Sequence, residues 1–257
     1  MSSILFEIRD AIAFITLNRP EKLNAFNREM ALSLQQKLDD CKSNEVRCVF
    51  LTGAGKAFSA GQDLAEVVDP DGPGMQRILS EHYNPIVTRI RKLEKPVVAA
   101  VNGVAAGAGA NIALCSDIVV AAESASFIQA FSKIGLIPDS GGTYVLPRLI
   151  GFQKASALMM LGEKVPAKEA ERIGMIYKVF GDDVFMENAK NIAKFLAEMP
   201  TKGLALTKQA LNISLSSGFE DQLHDEDILQ QRAASTEDYK EGVNAFIEKR
   251  IPKFRGI

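Results

Sequence analysis

Apolar and polar positions along the chain alternate between two periods. IAFITLNRP (12–20) is a β-branched and aromatic run closed by a proline turn, the pattern of a strand feeding a loop. Asn27 stands before REMALSLQQKLDDCKS, where Met30, Leu34 and Leu38 recur at helical spacing behind a suitable capping residue. VRCVFLTGAG (46–55) is a short apolar run stopped by glycines, which predicts a buried strand leading into a turn. DPDGPG (69–74) predicts a loop, and Met75 to Leu93 a helix that ends at Lys95-Pro96. The pattern then repeats in PVVAAVNGVAAGAGANIALCSDIVVAA as strand, glycine-rich turn, small-residue helix and strand, and a third turn runs through SFIQAFSKIGLIPDSGGTYVLPRLIG. Successive strand and helix of this kind imply layered α/β architecture.

Beyond about residue 152 the texture changes. QKASALMMLG and AKEAERIGM read as helices and YKVF as a short strand, while residues 200–257 are charged and mostly amphipathic, as in EDQLHDEDILQQRAAS. This predicts a core over 1–198 and a helical packing or subunit-contact region over 199–257. No constant period links the strand–helix units, so a repeat protein is not expected.

Composition narrows the chemistry. Apolar residues make up 47% of the 257 and charged residues 24%, with a net charge of −2, which favours neither disorder nor nucleic acid as a partner. No apolar run of about 18 residues occurs, and Glu7 and Asp10 interrupt the N-terminus, so no membrane span or signal peptide is expected and the chain is placed in the cytoplasm. Three cysteines (Cys41, Cys48, Cys115) without CxxC spacing argue against a disulfide framework and a zinc site. The only histidines, His82 and His224, give a metal centre or triad little to draw on. Gly103, Gly107 and Gly109 do not make GxGxxG, and GAGK (53–56) lacks Walker spacing, so dinucleotides and nucleoside triphosphates are not indicated. GVAAGAGAN is then either a tight turn into a packed helix or backbone that approaches a ligand closely. GLIPDSGGT (135–143) sets Asp139 between proline and glycines, where turn chemistry alone would account for it.

AFSAGQDL (57–64), VNGVAAGAGANIALCSDIVVAA (101–122) and FSKIGLIPDSGGTYVLPRLIG (131–151), with LNRPEKLNAF (17–26) and GEKVPAKEAERIGMI (162–176), resemble the enoyl-CoA hydratase/isomerase, or crotonase, superfamily over nearly the whole chain. Within it, GVAAGAGA, AFSKIGLIPDSGGT and DYKEGVNAFIEKRIPKFRG resemble the ring 1,2-epoxyphenylacetyl-CoA isomerases of phenylacetate degradation. The resemblance implies an α/β fold of the crotonase type, a spiral of ββα units with a helical C-terminal trimerisation region, assembling as trimers or hexamers. It also implies that an acyl-CoA thioester is activated by two backbone N–H groups that stabilise its enolate, with no cofactor beyond the CoA the substrate carries. By alignment those donors are Ala60 and Ala108. CoA is expected against the loop of Lys56, Ala60, Gly61, Gln62, Asp63 and Leu64, with Lys249 or Lys253 of a neighbouring subunit as candidates for its phosphates.

Hydratases of the superfamily use two glutamates to hold and activate water. Here those positions align with Asn111 and Phe131, which exchange no proton near neutral pH. Asp139 remains, where isomerases of the superfamily carry their acid. One carboxylate suffices to move a double bond, and a pocket of Phe131, Ile134 and Ile137 would raise its pKa by desolvation. Asn111 is read as a substrate contact, a support for Asp139 or a satisfied helix residue, and Tyr83 as a wall of the acyl pocket or a core aromatic. The implied activity is acyl-CoA isomerisation, either of ring 1,2-epoxyphenylacetyl-CoA to oxepin-CoA or of 3-enoyl- to 2-enoyl-CoA. A 2-enoyl-CoA hydratase with Asp139 as lone acid–base, and a non-catalytic scaffold or RNA-binding protein, are the alternatives. The charge balance counts against RNA.

Overall fold

Two sheets grow together along the chain. A computed structural model describes residues 2–257. Strands β1 (Ile4–Arg9) and β2 (Ile12–Leu17) pair antiparallel, and β3 (Cys48–Gly53) joins β2 in parallel. From there each unit adds one strand to each sheet. β3 is followed across a tight turn by β4 (Ala57–Ser59), β5 (Val97–Val101) by β6 (Val104–Ala106), and β7 (Ile118–Ala122) by β8 (Ser126–Ile128). With β9 (Lys164–Pro166) and β10 (Lys178–Phe180), the result is a six-stranded sheet in the order β1-β2-β3-β5-β7-β10 and a four-stranded sheet in the order β4-β6-β8-β9. This is the expected spiral of ββα units. The strand β1 and the three-residue strands of the small sheet were not among the predicted elements. Three residues are too few for a period of two to show.

Every residue of β3 and β5 is buried, as parallel strands covered on both faces must be. Helix α1 (Arg28–Asp40) is capped as predicted, its Asn27 side chain accepting the Met30 N–H at 3.0 Å. A short α2 (Leu64–Val67) follows β4. The predicted helix over 75–93 is continuous but has a π-helical turn at Ile78–Tyr83 between α3 (Gly74–Arg77) and α4 (Asn84–Lys92). Pro85 lacks an N–H and its ring crowds the preceding turn, so a widened turn there relieves both. The turn carries Tyr83 into the core. Helix α5 (Ala108–Leu114) closes the second unit and is wholly buried. Helices α6 (Gly142–Ile150), α7 (Phe152–Leu161), α8 (Ala167–Arg172) and α9 (Phe185–Glu198) complete the layers, with α9 lying across β3, β5 and β7.

Helices α10 (Thr201–Ser214), α11 (Phe219–Ala234) and α12 (Glu237–Ile247) form the C-terminal part. Two charged residues tie it to the sheets. Arg47 donates to Thr201 Oγ1 at 2.9 Å and to the carbonyls of Met199 (2.7 Å) and Phe254 (3.0 Å). Lys208, buried, donates to Asp117 Oδ2 at 2.7 Å and to the carbonyls of Ile90 (2.7 Å) and Lys95 (3.1 Å). Asp117 in turn accepts the Val97 N–H at 2.8 Å, at the start of β5. Among the described residues no helix is long and apolar enough to cross a membrane.

Removing one partner of a buried ion pair strands the other. Lys208→Met is therefore expected to lower unfolding free energy by about 3 kcal/mol, measured by urea denaturation. An unchanged denaturation midpoint would show that the pair contributes nothing.

Candidate active site

Among the described residues, two backbone N–H groups lie unpaired where the β4 loop meets α5. Ala108 is the first residue of α5, so its N–H has no intrahelical acceptor, and no other group among the described residues takes it. The helix dipole places positive potential at the same point. The facing loop is Ala60-Gly61-Gln62. Its Ala60 N–H donates to the Leu23 carbonyl at 2.9 Å and is not free. The expectation that Ala60 supplies the second donor is therefore corrected. Phe26 and Asp63 make the ladder bonds on either side of Gln62, Phe26 N–H to Gly61 O at 2.7 Å and Asp63 N–H to Phe26 O at 2.8 Å, and leave the Gln62 N–H turned away and unpaired. Gly61 has φ +90°, and a side chain on it would begin 2.8 Å from the Ala106 carbonyl and 3.4 Å from the Ala108 nitrogen. Only glycine permits this approach, which sets Gln62 and Ala108 on adjoining backbone. A carbonyl oxygen placed between such N–H groups could carry negative charge.

The Gln62 side chain is held as well. Its Oε1 accepts the Tyr83 hydroxyl at 2.6 Å, and its Nε2 donates to Glu66 Oε2 at 3.0 Å. Tyr83 is buried edge-on against Phe26. It is thus a core aromatic whose hydroxyl braces the donor loop. Burial, and then the negative charges of Asp139, Glu66 and Asp63, push its phenol well above the ordinary range, so it stays neutral and donates.

Asn111, on the same helix α5 that starts at Ala108, donates through Nδ2 to the Asp139 carbonyl at 2.9 Å and so brings Asp139 to this region. Asp139 is not a helix cap, since α6 starts at Gly142 behind Gly141 without a side-chain cap. The turn is made by its backbone instead. The Asp139 carbonyl accepts the Gly142 N–H at 2.8 Å and Asn111 Nδ2 at 2.9 Å, and Asn111 Oδ1 accepts Gln129 Nε2 at 2.8 Å. Asn111 thus supports the Asp139 turn, one of the three readings of it. A side chain on Gly142 would begin 2.3 Å from Asn111 Nδ2, so the start of α6 and the helix α5 meet in direct contact. Burial holds the Asp139 carboxyl above the usual aspartate range, opposed by hydrogen bonds from the Ser140 hydroxyl and its own N–H. No second carboxylate acts on it among the described residues.

Phe131 is buried against the Gly107 turn, but Ile134 and Ile137, expected beside it, are 54% and 81% exposed. Ile134 ends a 3₁₀ turn and Ile137 lies in the loop after it, and no element among the described residues covers them. Asp63 is occupied structurally, pairing with Arg19 at 2.9 Å and capping α2 through the Ala65 N–H. Lys56 and Leu64 are exposed on the loop rim, and Lys249 and Lys253 on the C-terminal tail. Sequence reasoning missed Gln129 and Ser140, which act only through neighbours. Among the described residues no group of three or more His, Cys, Asp or Glu gathers as metal ligands.

The sequence profile of the enoyl-CoA hydratase/isomerase family matches residues 7–256. The chain is 48% identical to the 1,2-epoxyphenylacetyl-CoA isomerase of Escherichia coli (strain K12), an alignment covering 100% of this chain and 99% of that protein. It is 43% identical to a probable enoyl-CoA hydratase of Rhodobacter capsulatus, covering 99% and 98%. The crystal structure of an enoyl-CoA hydratase from Bacillus anthracis superposes with a TM-score of 0.91 at 32% identity, covering 99% of this chain and 100% of that one.

Asn111→Ala would leave Gln129 Nε2 unpaired and loosen the Asp139 turn. It is expected to cost about 2 kcal/mol in thermal or urea unfolding. A cost near zero would mean that Asn111 does not hold the turn.

Proposed function

The chain belongs to the enoyl-CoA hydratase/isomerase family, and within that family we propose that it is an acyl-CoA isomerase. The thioester carbonyl oxygen sits between the N–H groups of Gln62 and Ala108, which lowers the cost of removing a proton from the adjacent carbon. Asp139 takes that proton and returns it to another carbon, while the two N–H groups stabilise the enolate between the two steps. No atom is gained or lost. CoA arrives as part of the substrate along the Lys56–Leu64 loop, and the chemistry asks for no other cofactor.

One observation carries this reading. Asp139 is a solitary carboxylate with raised proton affinity, and Asn111 and Phe131 stand where hydratases of the family keep their glutamates. An amide locked between Gln129 and the Asp139 carbonyl cannot deprotonate water. A phenyl ring cannot either. The substrate we favour is ring 1,2-epoxyphenylacetyl-CoA, rearranged to oxepin-CoA, with 3-enoyl- to 2-enoyl-CoA isomerisation as its chemical neighbour. Support for the aromatic ester is the 48% identity to an enzyme of that name. We further place residues 199–257 in subunit contacts of a homotrimer or a hexamer of two trimers, in keeping with Phe219, Phe246 and Ile251, which are 77%, 85% and 85% exposed in the single chain.

Asp139→Asn is expected to lower kcat by about 10³-fold or more on whichever of the two substrate types is turned over, with binding of phenylacetyl-CoA by calorimetry unchanged. Near-normal turnover would overturn the assignment. Hydration of crotonyl-CoA with kcat/KM of about 10⁶ M⁻¹s⁻¹ or more would favour the hydratase instead.

A further inference from the structure

The two residues after Asp139 hold the backbone in the left-handed region, Ser140 at φ +52° and Gly141 at φ +77°. Glycine occupies that region freely, but a residue with a Cβ does so at a cost of roughly 1–2 kcal/mol. Ser140 is 1% exposed, so no solvent contact explains why its hydroxyl is there. Its partner does. Ser140 Oγ donates to Asp139 Oδ1 at 2.8 Å. The backbone on both sides is pinned independently, the Asp139 carbonyl by Gly142 and Asn111 and the Ser140 carbonyl by Cys115 Sγ at 3.5 Å. With the backbone fixed, the remaining freedom of Asp139 is rotation of its carboxylate, and this hydrogen bond removes it.

We propose that Ser140 is a positioning residue for proton transfer: its hydroxyl, delivered by left-handed backbone, holds Oδ1 of Asp139 and leaves Oδ2 as the oxygen that takes and returns the proton. This rests on the reading of Asp139 as the proton-transfer group. A glycine at 140 would relax the backbone and lose the contact, so an otherwise costly serine is accounted for by what it holds. The contact also sets how strongly Asp139 grips its proton. Burial favours the neutral acid, and the Ser140 hydroxyl is the one side chain opposing it, helped by the Asp139 N–H. The titratable group facing Asp139 from the helical segment before Asn84 is the Tyr83 phenol, which stays neutral; Glu66 and Asp63 bear on that phenol and not on Asp139.

Removing a donor to the ionised form disfavours that form. In Ser140→Ala, which keeps the Cβ and loses the hydroxyl, the titration midpoint of Asp139 is expected to rise by about one unit. The measurement is a carbon-13 NMR titration of aspartate-labelled protein, with the Asp139 signal assigned by its absence in Asp139→Asn. Ser140→Gly, which also relaxes the backbone, should shift the midpoint equally, and Ser140→Cys, a weaker donor of nearly the same shape, by less. An unmoved midpoint in Ser140→Ala would overturn the proposal, as would a shift in alanine but not in glycine, since backbone strain would then be the cause. Turnover of Asp139→Asn is read separately. If that variant stays active, the proton-transfer reading fails, while the titration still decides whether Ser140 holds the carboxylate.

Discussion

A backbone N–H withdrawn from water without a partner costs about 1–3 kcal/mol, so folds rarely leave two together. Here the Gln62 N–H, in the loop after β4, and the Ala108 N–H, at the first residue of α5, have no partner among the described residues, and the surrounding structure keeps them so. The Ala60 N–H is drawn off to Leu23, and the ladder between Phe26 and Gln62 uses the neighbouring donors and acceptors. Gly61 lets the two backbones touch. Tyr83 and Glu66 then hold the Gln62 side chain, so the loop cannot turn its free N–H inward. In the function we propose, these contacts hold donors for an acceptor that arrives with the substrate.

The ββα unit explains why these pieces meet. Every turn of the chain adds one strand to the large sheet and one to the small sheet, so the end of β4 and the start of α5, one unit apart, lie side by side. The same geometry stacks the next unit on α5, where Gly142 and Asn111 touch and the Asp139 turn is fixed. The proton acceptor and charge-stabilising donors we propose thus come from three successive units of one spiral. Rigid helices and strands, rather than a mobile loop, set their spacing.

Much of this was legible in the sequence because it rested on strong local signals. The capped helix after Asn27, the buried strand at Cys48–Gly53 and the strand, turn and helix through the glycine-rich segment all follow from periodicity and glycine placement. The small sheet was not legible, because strands as short as Ala57–Ser59 show no alternation and are held by partners far along the chain. The error at Ala60 has the same origin. Motif position shows that one of a few N–H groups is free but not which, and the deciding carbonyl belongs to Leu23. Asn111 was visible as a departure from a two-glutamate pattern, yet its role depends on Gln129 and on the Asp139 carbonyl. Serine in left-handed backbone has no sequence signature, so Ser140 could not be singled out.

In the function we propose, one carboxylate carries a proton from carbon to carbon with no water added. This transfer is tested most directly by converting 3-hexenoyl-CoA deuterated at C2 and locating the label by mass spectrometry. Transfer by Asp139 places part of the abstracted deuterium on C4 of 2-hexenoyl-CoA. Unchanged 3-hexenoyl-CoA, alongside efficient hydration of 2-hexenoyl-CoA to 3-hydroxyhexanoyl-CoA, would contradict it.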